Sequence, residues 1–341
     1  MPILLYWGDS MSKKTNVGGQ AVIEGVMMRG PEKIAIAVRK PDGEIDVKLE
    51  DNVPAAKKNK ILSLPFIRGA VALIDSLITG MNSLSYSASF FEEEEEESKF
   101  DAYLKKKFGD KLDKIIMAFS LVLSMIIAIP LFFILPTVTA GLIKKISSSS
   151  IIVNLGEGII RLIIFLVYIY LISRVKDIQR VFEYHGAEHK SIYCYEAELP
   201  LTVENAKGFT TLHPRCGTNF LLIVMLVSIL LFSFFGWPGI AARIVSRVLL
   251  LPVVAGISYE VIKWLGKSEG KLASVVAYPG LMLQKLTTRE PDDEQLEVAL
   301  TALKAALGME YRKPKEEEAE PFEVEIEFGE DKEGLISDED I

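Results

Sequence analysis

The 341-residue chain is poor in the side chains that carry most metal and nucleophilic chemistry: it has two cysteines, Cys194 and Cys216, and three histidines, His185, His189 and His213. Two cysteines do not make a disulfide scaffold, and both fall where the topology derived below is cytoplasmic, so each reads as a free thiol or a metal ligand. The Gly-rich stretch from Gly18-Gly19-Gln20 to Arg29-Gly30-Pro31 lacks the Gly-Lys-Ser/Thr of a P-loop and no strand is expected before it. Tight backbone turns are the expected role of its glycines. A basic surface is missing too. Lys and Arg total 38 against 46 Asp and Glu, a formal charge of -8, which argues against nucleic-acid partners. The acidic excess sits in Glu92 to Glu97 and in the tail after Arg312, which are solvated appendages. The first ten residues have neither a basic n-region nor a long apolar core, so no cleavable signal peptide is expected; Met11, followed by Ser-Lys-Lys, reads as an alternative start.

What the chain has in quantity is apolar sequence. Half of its residues are hydrophobic while 25% are charged, and the mean hydropathy is +0.28. An ordinary soluble domain with that share of charge does not reach this value, so charge and apolar sequence are segregated. Four segments have the length and composition of membrane spans. Residues 115–143 carry no charge and hold Pro130 and Pro136, which membrane helices tolerate; residues 216–242 are also uncharged and end near Gly236-Trp237-Pro238-Gly239, a turn-like, interfacial group. Residues 151–173 form a span if Glu157 and Arg161, one helical turn apart, pair or lie near the interface. Residues 246–265 carry Glu260 and Lys263 at their end. Glu157, Arg161 and Glu260 are thus the intramembrane polar residues.

Basic residues orient the spans. Lys105, Lys106, Lys107, Lys111 and Lys114 precede the first span. Arg174, Lys176, Arg180, Lys190, Lys207 and Arg215 lie between the second and third. The opposite loops carry Lys144 with Lys145, and Arg243 with Arg247. Both termini are therefore expected in the cytoplasm, and the bilayer is the first expected partner.

The remaining segments are assigned by pattern. Residues 1–16 read as a flexible N-terminus. Residues 17–60 combine the Gly-rich segment with a β-hairpin, because 34–39 and 44–49 alternate around Pro41-Asp42-Gly43. Residues 61–91 are largely apolar but contain Arg68 and Asp75, and read as an amphipathic helix in the membrane interface, since a fifth span would upset the charge parity. An acidic then basic linker occupies 92–114. Residues 270–290 are too short an apolar run to cross, and Pro279-Gly280 points to a re-entrant or interfacial element. A cytoplasmic helix follows over 291–308, with Asp292, Asp293 and Glu294 at its start, Leu296, Leu300, Leu303 and Leu307 on one face and Gly308 at its end. That stripe needs a partner. The tail, 309–341, is Glu-rich and reads as disordered. The fold class is an α-helical integral membrane protein with about four transmembrane helices, a small N-terminal α+β cytoplasmic domain and a C-terminal cytoplasmic helix.

All three histidines fall in one expected cytoplasmic loop, 174–215. On a helix, His185 and His189 share a face and direct their imidazoles at one point, as in zinc sites. His213-Pro214-Arg215-Cys216 adds a third nitrogen and a thiolate, so the candidate ligand set for a divalent metal, zinc by donor type, is His185, His189, His213 and Cys216. The order His-x-x-Glu-His at 185–189 matches the inverted zinc peptidases, in which the Glu activates water, making Glu188 the candidate catalytic base. Against that stand Gly186, which weakens a helix, and the lack of a recognisable downstream acidic ligand. The bland alternatives are a hydrogen-bonded histidine cluster and a packed cysteine. Tyr193 and Tyr195 read as interfacial aromatics.

The strings GGQAVIEGVMMRGP (18–31), FEYHGAEHKSI (182–192), HPRCGTNFL (213–221) and QKLTTREPDDEQLEVAL (284–300) are similar to the YqhQ-like family of uncharacterised bacterial membrane proteins. The resemblance runs from Val17 to Leu307 and implies a multi-pass protein of the bacterial cell membrane and, by the family's description, a predicted metal-dependent enzyme. Two functions remain open. One is a zinc-dependent membrane hydrolase. The other is an oligomeric channel, transporter or scaffold whose His/Cys loop is structural or gating.

Overall fold

Alternating small and branched apolar residues set the N-terminal architecture. The computed structural model describes residues 17–54, 62–64, 67–91, 112–236, 239–265, 268 and 270–311. The expected flexible N-terminus, nearly all of the 92–114 linker, the tail from 312 and the Trp237-Pro238 pair lie outside the described residues. Four strands, β1 (Gly18–Val22), β2 (Gly25–Arg29), β3 (Lys33–Arg39) and β4 (Ile45–Asp51), form an antiparallel meander in the order β1-β2-β3-β4. The β3–β4 hairpin is the one expected. The Gly-rich stretch is not a set of turns but the β1–β2 hairpin, closed at Val22↔Gly25 by a two-residue turn with Glu24 at φ 48°. Its alternation of Val22, Val26 and Met28 outweighs the glycines. With period two, Val26, Met28, Ala35 and Ala37 line one face, and Met27, Ile34, Ile36 and Val38 line the other.

Helices cover both faces. α1 (Ile67–Ala88) leans on the second face through Tyr86 and on the β1–β2 turn through the Ser87 hydroxyl, which accepts from the Ile23 amide at 3.1 Å. Its start is tied by Arg68 to Glu260 at 2.8 and 2.7 Å, while Ile74, Leu77, Ile78 and Met81 are exposed. The first face packs on the C-terminal helix, supplying the partner that helix's apolar stripe needs.

Among the described residues, three helices are long and apolar enough to cross a membrane: Phe119–Ile146, Ser150–Ile172 and Ala242–Leu265. The first is continuous through α2 (Leu112–Ile129), a π turn at Pro130–Ile134 and α3 (Leu135–Ile146). Pro130, which lacks an amide hydrogen, explains the wider turn. α4 (Ser150–Ile172) matches the expected second span. The expected third span, 216–242, is cut short: α7 (Gly217–Ser233) has 17 residues, roughly 26 Å of helix, and stops before Gly236. The fourth starts earlier than expected, since α8 runs over Ile240–Leu265. Arg243 and Arg247 are therefore on a helix rather than in a loop, because a carboxylate on α4 receives them. α9 (Lys271–Thr287) continues through Pro279-Gly280 without a break, so no turn forms there. It packs on α7 through Leu283 against Leu222 and Ala277 against Ile223.

Candidate metal centre

The expected 174–215 loop is largely helical: α5 (Lys176–Glu196) and the short α6 (Val203–Lys207). The glycine that weakens the helix in isolation is required in the fold. A Cβ on Gly186 would lie 2.0 Å from the Arg289 carbonyl oxygen, so only glycine lets the segment after α9 cross α5 here. α5 is otherwise held by packing. Tyr184, Ala187, Ile192 and Cys194 sit in one core with β2, β3 and α10 (Asp293–Ala306), which starts with an Asp292/Gln295 capping box and buries Leu296, Leu300 and Leu303.

One helical turn apart on α5, the rings of His185 and His189 meet edge to face at 4.5 Å. The His185 Nδ1 lies 2.7 Å from the Thr287 carbonyl and the His189 Nδ1 contacts the Thr211 carbonyl. A carbonyl only accepts, so each Nδ1 carries the proton and each Nε2 presents a lone pair. The Nε2 of His185 is 3.1 Å from Cys216 Sγ, and the His189 Nε2 is buried with no hydrogen-bond partner. Cys216 reaches this point as the N-cap of α7, its sulfur accepting from the Thr218 amide at 3.4 Å. One donor atom from each of His185, His189 and Cys216 lies within 4.8 Å of the others. The donor set and the orphaned nitrogen fit a metal ion.

The fourth expected ligand does not join them. The His213 ring packs between His189 and Tyr193, at centroid distances of 5.4 and 4.6 Å, and its Nε2 faces Glu196 at 3.8 Å. Burial pushes His213 down to about 4, so a neutral imidazole faces a carboxylate that Arg215 already holds. The 213–216 turn is placed by its backbone, not by the imidazole. The His213 amide donates to Gln284 Oε1 at 2.7 Å, Gln284 Nε2 returns to the His213 carbonyl at 2.7 Å, and Asn219 Nδ2 donates to the Pro214 carbonyl at 2.6 Å.

Glu188 is buried and lines a cavity of about 480 Å³ with His185, Cys216, Gly18 to Ala21, Arg29, Ser76 and Thr79. Burial pushes its carboxyl up to about 8, partly offset by the Gly19 amide that it accepts from. A Cβ on Gly19 would lie 2.6 Å from the Met27 carbonyl oxygen and 3.0 Å from the Glu188 side chain, which is why glycine stands there. The cavity opens along the free edge of β1: with Val22↔Gly25 closing the turn, the amides and carbonyls of Gly19 and Ala21 point away from β2.

Other candidates fall elsewhere. Cys194 is buried in the core shared by β2, β3, α5 and α10, and Tyr195 packs against that core. The Tyr193 hydroxyl donates to the Leu212 carbonyl at 2.9 Å. Glu157 pairs with Arg161 at 2.8 Å as expected, and Glu260 pairs with Arg68, both away from the histidines. Sequence reasoning missed Gln284 and Asn219; the available signal was an amide side chain inside each of two apolar helices.

A family model described as a protein of unknown function, DUF1385, matches residues 64–309. The chain belongs to that family. It is also 37% identical over 294 residues to the uncharacterized protein YqhQ of Bacillus subtilis (strain 168), an alignment covering 86% of this chain and 92% of that relative. The YqhQ-like resemblance in the sequence is thereby shown. No solved structure matches the chain. The DUF1385 match includes every residue of the His185, His189, Cys216 cluster and stops short of the sheet.

Proposed function

We propose that this DUF1385 protein is a membrane-embedded, zinc-dependent hydrolase of the bacterial cell membrane, with both termini cytoplasmic. Its metal ligands are His185, His189 and Cys216, and its base is Glu188. One observation carries the reading: two imidazoles are locked by Nδ1–H bonds to the Thr287 and Thr211 carbonyls, so that both Nε2 atoms turn toward one cysteine. Backbone carbonyls behind histidines are the usual device for fixing tautomer and ring orientation at a metal. Two nitrogens and a thiolate would hold the ion, which when bound would polarise a carbonyl and acidify a water. Glu188 lines the same cavity as His185 and Cys216, where a carboxylate serves as proton acceptor.

The cleft's shape supports an extended polypeptide as substrate. One wall is the free edge of β1, flanked by α1 through Ser76 and Thr79 and by α5 through Val181. A chain laid along that edge gains backbone hydrogen bonds from Ala21 without a sequence requirement. The test incubates detergent-purified protein with a tryptic peptide library from a bacterial lysate and reads products by mass spectrometry. Wild type is expected to generate new termini that Glu188→Gln does not, with zinc content equal in the two. Identical product patterns from both proteins would overturn the hydrolase reading.

A further inference from the structure

α1 turns an apolar face away from the protein. Ile74, Leu77, Ile78, Met81 and Leu84 are 58, 57, 47, 52 and 44% exposed, and their spacing of three and four residues places them in one stripe along the helix. The opposite face is fixed: Gly69, Gly80, Ser83 and Ser87 are buried. The helix has two charged side chains and both are paired, Arg68 with Glu260 at 2.8 and 2.7 Å and Asp75 with Arg29 at 3.4 Å. The stripe itself holds no charge. Five large apolar side chains gathered in this way exceed the scattered exposure of a water-facing surface, and mark a face with a partner.

The neighbouring helix specifies that partner. α1 starts against α8, which contains one of the candidate spans, and a Cβ on Gly69 would lie 2.8 Å from both Gly256 Cα and Tyr259 Cβ, so the two backbones touch. The face of α8 that carries Gly256 is bare on the side of the contact away from α1: Val253 and Leu249, three and seven residues earlier, are 40 and 72% exposed. The exposed apolar surface of a candidate span is thereby continued by α1. Acyl chains cover such a surface without needing a complementary shape, and an uncharged stripe suits them better than it suits a soluble protein.

The same helix is a wall of the metal cleft. Ser76 and Thr79, on the side of α1 turned from the stripe, line the cavity of about 480 Å³ with His185, Glu188 and Cys216. One thickness of helix, roughly 10 Å, therefore separates the cleft from the partner of the stripe. We propose that the stripe from Ile74 to Leu84 is seated in the acyl chains of the bilayer, so that the cleft opens at the membrane surface and its substrates are polypeptides anchored in that membrane. The lipid contact is independent of the metal site; the substrate class rests on the hydrolase reading.

The test reconstitutes the full chain in phosphatidylcholine vesicles, with and without phosphatidylcholine brominated on its acyl chains, in a Trp7→Phe/Trp237→Phe/Trp264→Phe background. A single tryptophan is added as Leu77→Trp in the stripe or, as the control, as Leu199→Trp on the exposed connection between α5 and α6; Ile78→Trp replaces the first should it fail to fold. Brominated lipid is expected to cut the Leu77→Trp emission by roughly half and to leave that of Leu199→Trp unchanged. Equal quenching of the two, or an unquenched Leu77→Trp because water or a second copy covers the stripe, overturns the proposal. In the same vesicles wild type is offered the tryptic library carrying an N-terminal palmitoyl group. Cuts within about five residues of the anchor, roughly 17 Å of extended chain, are expected, and Glu188→Gln makes none. Cuts confined to more distant bonds overturn the substrate class. Quenching of Leu77→Trp with no cuts at all supports the lipid contact and contradicts the hydrolase reading.

Discussion

At the residue scale the account turns on which nitrogen of each histidine is free. The bonds from Nδ1 to Thr287 and Thr211 decide that, and neither carbonyl is visible in a motif. The sequence made the i, i+4 pair and the thiol legible, because spacing on a helix brings His185 and His189 to one face. It overcounted by adding His213, since proximity in sequence to Cys216 says nothing of where an imidazole points. Two predictions belong here. Replacing Cys216 by Ser is expected to cost roughly 10- to 100-fold in zinc affinity, read by competition with a chromogenic chelator, while His213→Gln leaves the affinity within a few-fold. Gln284→Ala strands the His213 amide and carbonyl in a dry interior, a loss of about 1–3 kcal/mol per group that thermal melting in detergent measures.

At the element scale, the apolar stripe of 291–308 announced a buried helix without naming its partner, and the partner is the sheet face of Val26, Met28, Ala35 and Ala37 together with α5. Leu303, fully buried in that core, is expected to cost about 2–5 kcal/mol when replaced by Ala, with m-value unchanged in urea. Gly186 shows where propensity misleads. Its helix-weakening character was readable, but the backbone of residue 289 pressing on it was not, because that contact joins segments about a hundred positions apart. Gly186→Ala is expected to destabilise by about 1–3 kcal/mol and to lower zinc occupancy, since it pushes Thr287 and its neighbours off α5. The β1–β2 hairpin was misread for the complementary reason: glycines that permit close approach look, in sequence, like glycines that make turns.

On the scale of the whole molecule, hydropathy made the long helices legible and misjudged their ends. Arg243 and Arg247 were counted with the loop before the fourth span; Glu157 on a neighbouring helix takes them in. The same buried carboxylate is the feature that an oligomeric channel, transporter or scaffold would exploit, and charge-neutralising Glu157→Gln is expected to weaken the association of α4 with α8 and reduce extraction of folded protein in mild detergent. The sheet, α5 and α10 form one core around Tyr184 and Leu296, and that core presents His185, His189 and Glu188 to the start of α7. The molecule thus mounts its candidate chemistry where a folded domain meets the ends of apolar helices.

The most direct measurement is inductively coupled plasma mass spectrometry of the detergent-purified full chain beside a His185→Ala/His189→Ala double variant. The account predicts close to one zinc per chain in the first and a fall to background in the second, with both proteins folded by circular dichroism. The absence of metal from the wild type after zinc loading, or equal metal in both proteins, would contradict it.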